Sequence, residues 1–153
     1  MKKQKNSQAS FQAGVDYIGV GVGALILNGK GEFLLTLRGQ KAKNERGKWE
    51  IPGGQVEFGE TFAQAIQREV KEELNVELEV GELLTLTDHL LPEEKQHWVA
   101  PTFFCKIKSG KLKIMEPEKC DELRWVTLEE ALKMPLSVVT RHDLEVWKKS
   151  GFY

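Results

Sequence analysis

The order of apolar patterns along this chain predicts an α/β domain in which a mixed sheet packs with helices. Three observations predict it. Short β-branched and apolar runs, bounded by Gly and Asn turn signals, recur between Tyr17 and Val126. One amphipathic helical period interrupts them after Gly53-Gly54, and the capping pattern Thr127-Leu128-Glu129-Glu130 opens the closing helical segment.

Tyr17 to Leu27 is apolar enough for a strand, although Gly19, Gly21 and Gly23 interrupt it. A dinucleotide-binding turn needs a strand before its glycines and a helix after them. Here Ala24-Leu25-Ile26-Leu27 continues the strand, and Asn28-Gly29-Lys30-Gly31 supplies a turn. The three glycines alternate, so they share one strand face. They leave room there for a flat ligand or for a packed helix. Phe33 to Leu37 returns as the second strand of a hairpin and ends in Arg38, followed by a polar loop from Gly39 to Gly47. After the central helix, Val76 to Thr87 alternates well enough for strands around Gly81. His97 to Ile107 is a further strand, closed by a turn at Ser109-Gly110-Lys111. Leu123 to Val126 is a short last strand. A short helix from Thr127 stops near Pro135, and Ser137 to Lys149 forms the closing helix, with Val139, Leu144 and Trp147 available for packing.

A chain of 153 residues supports one domain with its own core. Hydrophobic content of 41% and charged content of 29% are globular values. Residues 1–14 are expected to be a flexible tail and residues 15–153 a single domain. Met1 to Ser10 carries no apolar stretch, so neither a signal peptide nor a membrane span is expected there. A formal net charge of −1 excludes general attraction to nucleic-acid polymers. Cys105 and Cys120 have neither metal-site spacing nor a disulfide framework, which fits thiols in a reducing, cytoplasmic compartment.

The chemistry concentrates in Gly54 to Val76, GQVEFGETFAQAIQREVKEELNV. Glu69, Glu72 and Glu73 stand at i, i+3 and i+4, along one edge of a helix, where like charges repel. In projection at about 100° per residue, Phe62, Ala63, Ile66, Val70 and Leu74 form the apolar stripe, with Gln64, Gln67 and Lys71 opposite. Glu69 and Glu73 fall at the border of that stripe. Half-buried carboxylates there need a partner to offset desolvation. Arg68 neutralises one, and a divalent cation is the simplest partner for the rest. Hard oxygen ligands suit Mg²⁺ or Mn²⁺ better than zinc. Glu60-Thr61 supplies acid and hydroxyl at the helix start, and Asn75 takes the left-handed closing position.

This segment resembles the Nudix box, G-x5-E-x7-R-E-U-x-E-E-x-G-U, with U a bulky aliphatic residue. Gly54, Glu60, Arg68, Glu69, Val70, Glu72, Glu73 and Val76 match in register; Asn75 stands where the pattern has glycine. Gly47-Lys48-Trp49-Glu50-Ile51-Pro52-Gly53 also resembles the family's approach to the box, and a weaker likeness extends from about Tyr17 to Trp147. The resemblance implies an α/β/α sandwich with a catalytic loop-helix-loop, and Mg²⁺ as cofactor with Mn²⁺ as substitute. It further implies Glu69 as ligand and base, Glu72 and Glu73 as ligands, and the Gly53 carbonyl as a further ligand. Arg68 would orient a box glutamate, Glu60 would buttress the loop, and Gly54 would approach the substrate. A distant loop glutamate is expected to join them, with Glu118 first and Glu116 second. Arg38 is the candidate phosphate contact, since a guanidinium matches phosphate oxygens. Trp49, His89 and His97 are taken as structural.

His97-Trp98-Val99 and Glu116 to Trp125 are similar to the MutT-type branch. That likeness implies a nucleoside triphosphate, with an oxidised or modified purine among the candidates, cleaved to monophosphate and pyrophosphate. ADP-ribose or a nucleotide sugar is the rival substrate, Pro92 being the one residue that favours it. A non-enzymatic nucleotide-binding module is the alternative of another class, disfavoured because every box glutamate is present. The partner expected is a small nucleotide, without membrane or nucleic-acid polymer, and the resemblance suggests a homodimer.

Overall fold

The structure is a computed structural model that describes residues 10–153. Most of the expected N-terminal tail, residues 1–9, lies outside the described residues. Within the remainder, the Gly14 N–H donates to the Tyr17 carbonyl and the Gly14 carbonyl accepts from the His97 N–H. These bonds join Gly14 to the folded body. Backbone pairing draws residues 12–17 onto the strand that carries His97.

The described residues form seven strands: β1 (Gly19–Leu27), β2 (Phe33–Arg38), β3 (Trp49–Glu50), β4 (Gly53–Gln55), β5 (Val76–Leu91), β6 (Gln96–Gly110) and β7 (Cys120–Val126). Three helices accompany them: α1 (Phe62–Leu74), α2 (Leu128–Leu132) and α3 (Val138–Ser150). The β1–β2 hairpin closes as expected, because the Asn28 side-chain oxygen accepts from the N–H groups of Lys30 and Glu32. β1 lies parallel to β6 and antiparallel to β2 and β4, while β3 and β7 pair with β2 and β5 pairs with β6. Where strands are expected on either side of Gly81, up to Thr87, the chain makes one 16-residue strand that runs on to Leu91, with its register shifted between Val80 and Leu83. A short 3-10 turn at Pro92–Glu94 joins it to β6, so Pro92 serves a hairpin connection. The tiny strands β3 and β4 have no periodicity to announce them; their pairing with β2 and β1 is tertiary.

Two apolar layers make the sandwich. Val22, Ala24, Ile26 and Leu34 pack with Ile66, Val70 and Leu74 of α1. On the other face Leu25, Phe33 and Leu35 pack with Ala131, Leu144 and Trp147 from α2 and α3. The Trp147 ring meets Phe33 edge-on at 5.6 Å between centroids and Phe104 at 5.9 Å.

Helix α1 starts with a reciprocal cap: Thr61 accepts from the Gln64 N–H and Gln64 accepts from the Thr61 N–H. It ends on Asn75 at φ 62°, ψ 26°, the expected left-handed position. Its buried stripe is Ala65, Ile66, Val70 and Leu74. Phe62 and Ala63, expected in that stripe, are exposed, although the Phe62 ring still lies 6.1 Å from that of Phe103 on β6. Gln67, expected on the solvated side, instead pairs its amide with both backbone groups of Leu78. This ties α1 to β5.

Candidate active site

The helix border holds a cation hub built by one arginine. Arg68 Nε donates to Glu60 Oε1 at 2.6 Å, and Nη2 donates to Glu60 Oε2 and to the Gln55 carbonyl, both at 2.9 Å. Nη1 donates to Glu69 Oε1 at 2.9 Å and lies 3.5 Å from Glu72. A planar fork with five N–H donors can serve all these oxygens at once, which an ammonium could not. The bonds from Arg68, with the N–H of Glu57, hold the Glu60 carboxyl down at about 2. Glu60 accordingly buttresses the loop ahead of the helix through Arg68. Glu72 is 54% exposed and stays on the outer side of this hub.

Glu73 has the opposite surroundings. Burial first, and then the charges of Glu69, Glu50 and Glu116, push its carboxyl up to about 8. Glu69 also lies in hydrogen-bonding reach of it. No lysine or arginine forms an ion pair with it among the described residues, and Lys119 acts on it only through space. Glu50, Glu73 and Glu116 line one cavity of about 590 Å³, together with Gly53 and Gly54. Glu69 sits just behind Gly54, where a Cβ would fall 2.5 Å from its Oε1. A hydrogen at Gly54 thus makes the space for the Glu69 carboxylate. Gly53 is equally constrained, since a Cβ there would collide with the Val22 carbonyl of β1.

The remaining expected site residues divide. Arg38 lines the cavity, but its guanidinium is engaged: Nη1 donates to both Glu50 oxygens at 3.0 and 2.8 Å, while Nε and Nη2 donate to Asn44 at 2.9 and 2.7 Å. Glu118 is exposed and outside the cavity lining, whereas Glu116 lines it and pairs with Lys119 at 3.0 Å. Of the two loop acids, the turn before β7 thus directs Glu116 toward the cavity and leaves Glu118 outside it. Trp49 is core, with the Arg124 guanidinium 4.6 Å over its ring. His97 pairs with Asp88 at 3.2 Å outside the cavity lining.

Three cavity residues escaped sequence reasoning or were assigned only structural roles. Glu50 is a lone acid in an apolar approach; burial raises its pKa despite Arg38. Its position two residues before Pro52 was the available signal. His89 and Asp143 are 6% and 1% exposed, and both line the cavity. His89 Nε2 and Asp143 Oδ1 are buried without a hydrogen-bond partner. Burial, aided by His142, depresses the His89 pKa. Burial raises Asp143 to about 6, against the pull of the Thr102 hydroxyl and His142. No local pattern marks an aspartate in a helix as facing a cavity.

The acidic half of the cavity suits a hard divalent cation. Its donors are carboxylate oxygens, and they crowd one another with no ion pair at Glu73. Among the described residues no three acids, histidines or cysteines converge into a closed cage. Mg²⁺ needs none, since it keeps several waters and takes one or two carboxylates plus substrate phosphates.

Residues 18–144 match the family model of the NUDIX domain. The chain is 34% identical over 117 residues to the CTP pyrophosphohydrolase of Escherichia coli K12, covering 74% of this chain and 80% of that one. It is 36% identical over 102 residues to human 8-oxo-dGDP phosphatase NUDT18, covering 66% of this chain and 29% of that protein. The chain spans about a third of the length of several curated relatives it matches. Among solved structures, a MutT NUDIX hydrolase from Burkholderia pseudomallei is 38% identical with a TM-score of 0.76, covering 83% of this chain and 95% of that one. With its box residues in register and this fold beneath them, the chain belongs to the Nudix hydrolase family.

Proposed function

We propose that this protein hydrolyses a nucleoside triphosphate to the monophosphate and pyrophosphate. One observation carries the reading: a single cavity joins a carboxylate-rich end, at Glu50, Glu73 and Glu116, to a polar, aromatic-walled end at Trp98, Thr102 and Asp143. A polyphosphate needs the first and a base the second. Likeness to a CTP pyrophosphohydrolase supports this division of labour.

Glu69, Glu72 and Glu73, with the Gly53 carbonyl and Glu116 in the place first given to Glu118, would hold Mg²⁺ or Mn²⁺. That ion supplies Lewis-acid neutralisation of the phosphate oxygens. Arg68 fixes Glu69 from one side, and the absent side chain of Gly54 leaves it open on the other. Glu69 takes the proton of the attacking water. The water oxygen bonds to the β-phosphorus, the bridging bond to the α-phosphate breaks, and the monophosphate leaves with that bond's electron pair. Lys41, Lys43 and Lys119 line the cavity and add positive charge for the phosphate tail. Arg38 reaches phosphate only by exchanging it for Glu50. The reading treats residues 15–153 as one catalytic domain in the cytoplasm, consistent with free thiols at Cys105 and Cys120. It also keeps a homodimer as the expected assembly.

Hydrolysis in ¹⁸O-water tests the reaction. Label in pyrophosphate is expected; label in the monophosphate moves the attack to the α-phosphorus. Orthophosphate plus nucleoside diphosphate as main products contradicts the reading. A nucleoside diphosphate substrate is the second reading, favoured by the likeness to an 8-oxo-dGDP phosphatase. Diphosphates and ADP-ribose therefore belong in the same substrate panel.

A further inference from the structure

The polar end of the cavity has a shape of its own. On β1 and β6, the side-chain space at Gly19 is taken by the Trp98 ring and that at Gly23 by Thr102. A Cβ at Gly21 would meet only the Gly54 carbonyl at 3.4 Å and the Ala100 Cβ at 3.8 Å. Trp98, Ala100 and Thr102 alternate along β6 and so share one face. Between the indole and the threonine, the sheet is therefore stripped to Gly21 and Ala100. The result is a flat floor suited to a planar ligand.

Asp143 stands at the Thr102 end of that floor. Its Oδ2 accepts from the Thr102 hydroxyl at 2.6 Å, and its Oδ1 is buried without a partner. A fold rarely leaves a buried carboxylate oxygen unmatched. No lysine or arginine pairs with it among the described residues. Asp143 lines the same cavity as Glu50, Glu73 and Glu116, so a ligand that settles against it can supply the missing donor.

We propose that Asp143 selects the base of the bound nucleotide, favouring bases with an exocyclic amino group over their keto counterparts. This rests on the nucleotide reading above. An ionised carboxylate only accepts hydrogen bonds. An amino group offers it an N–H, whereas a keto oxygen at the same place sets two acceptors against each other. Cytosine is thus preferred to uracil, and adenine to hypoxanthine. Thr102 positions the carboxylate without touching the base. An asparagine at 143 would still accept from Thr102 and would turn an NH₂ toward the ligand, reversing the choice.

Calorimetric binding of CMP against UMP and AMP against IMP, with the full chain in EDTA at mildly alkaline pH, tests this. Wild type should bind the amino member of each pair about tenfold or more tightly, and Asp143→Asn should favour the keto member. The ratio of kcat/KM for the matching triphosphates should follow the same reversal. Equal affinity for both members in wild type overturns the proposal, whether or not the variant folds. A folded Asp143→Asn that keeps the wild-type preference also overturns it. A base preference without triphosphate turnover would remove the hydrolase reading alone, while turnover without base preference would remove only this one.

Discussion

Gly54→Ala separates the catalytic geometry from the stability of the fold. The added Cβ would overlap the whole Glu69 carboxylate, nearest to its Cδ and Oε2 and 2.5 Å from Oε1. Ordinary non-bonded contacts sit near 3.5 Å, so the carboxylate must retreat by more than about 1 Å. Gly54 is not among the residues with positive φ, so alanine suits its backbone. The strain falls on the far end of a flexible side chain, and the stability cost should stay below about 1 kcal/mol. A displacement of about 1 Å in a catalytic group, however, costs about 100-fold in rate. Urea unfolding and Mg²⁺-dependent pyrophosphate release measure the two effects separately. Gly53→Ala is the contrast, because its Cβ meets the backbone carbonyl of Val22, which cannot move without breaking the β1–β4 pairing. That variant should lose several kcal/mol of stability. Wild-type turnover in a folded Gly54→Ala protein would refute the role given to Glu69. A large loss of stability in the same variant would refute the claim that the side chain absorbs the contact.

Other outcomes follow from single residues. Glu73→Gln should keep the fold, weaken Mn²⁺ binding measured by electron paramagnetic resonance without substrate, and lower turnover by orders of magnitude; unchanged Mn²⁺ affinity removes Glu73 from the ligand set. Asn75→Val should destabilise by about 1–2 kcal/mol in urea melts because valine resists a left-handed backbone, while Asn75→Gly should be near neutral. For Asp143, the folded pKa of about 6 exceeds the ordinary 3.8, so the native state holds its proton more tightly. Its contribution is fully present below pH 3.8 and lost as pH rises through about 6. The loss is on the order of 3 kcal/mol. The stability of wild type relative to Asp143→Asn should fall across that window, and a flat difference would show that Asp143 titrates normally.

The legible part of this molecule was local. Glu69, Glu72 and Glu73 could be read as one helix edge because a fixed period of 3.6 residues determines it. Thr61 and Asn75 could be read because caps are made from neighbouring backbone groups. Spacing likewise brought Arg68 next to Glu69 and Glu72 without knowledge of the rest of the chain. What only the tertiary structure decided was the partner of each group that reaches across elements. Arg38 turned to Glu50 and Asn44 because β3 folds beside β2, and Glu116 rather than Glu118 faced inward because the turn into β7 sets the direction. The glycines of β1 could equally have met a helix or a flat ligand; the parallel alignment with β6 placed Trp98 and Thr102 over two of them and left Gly21 open. Asp143 reads in sequence as one more polar residue of a closing helix. It becomes a buried, half-satisfied carboxylate only because α3 packs its side chain against Thr102, on a strand 41 residues earlier. Contacts between distant segments depend on the balance of burial and desolvation over the whole sheet, and no local period encodes that balance.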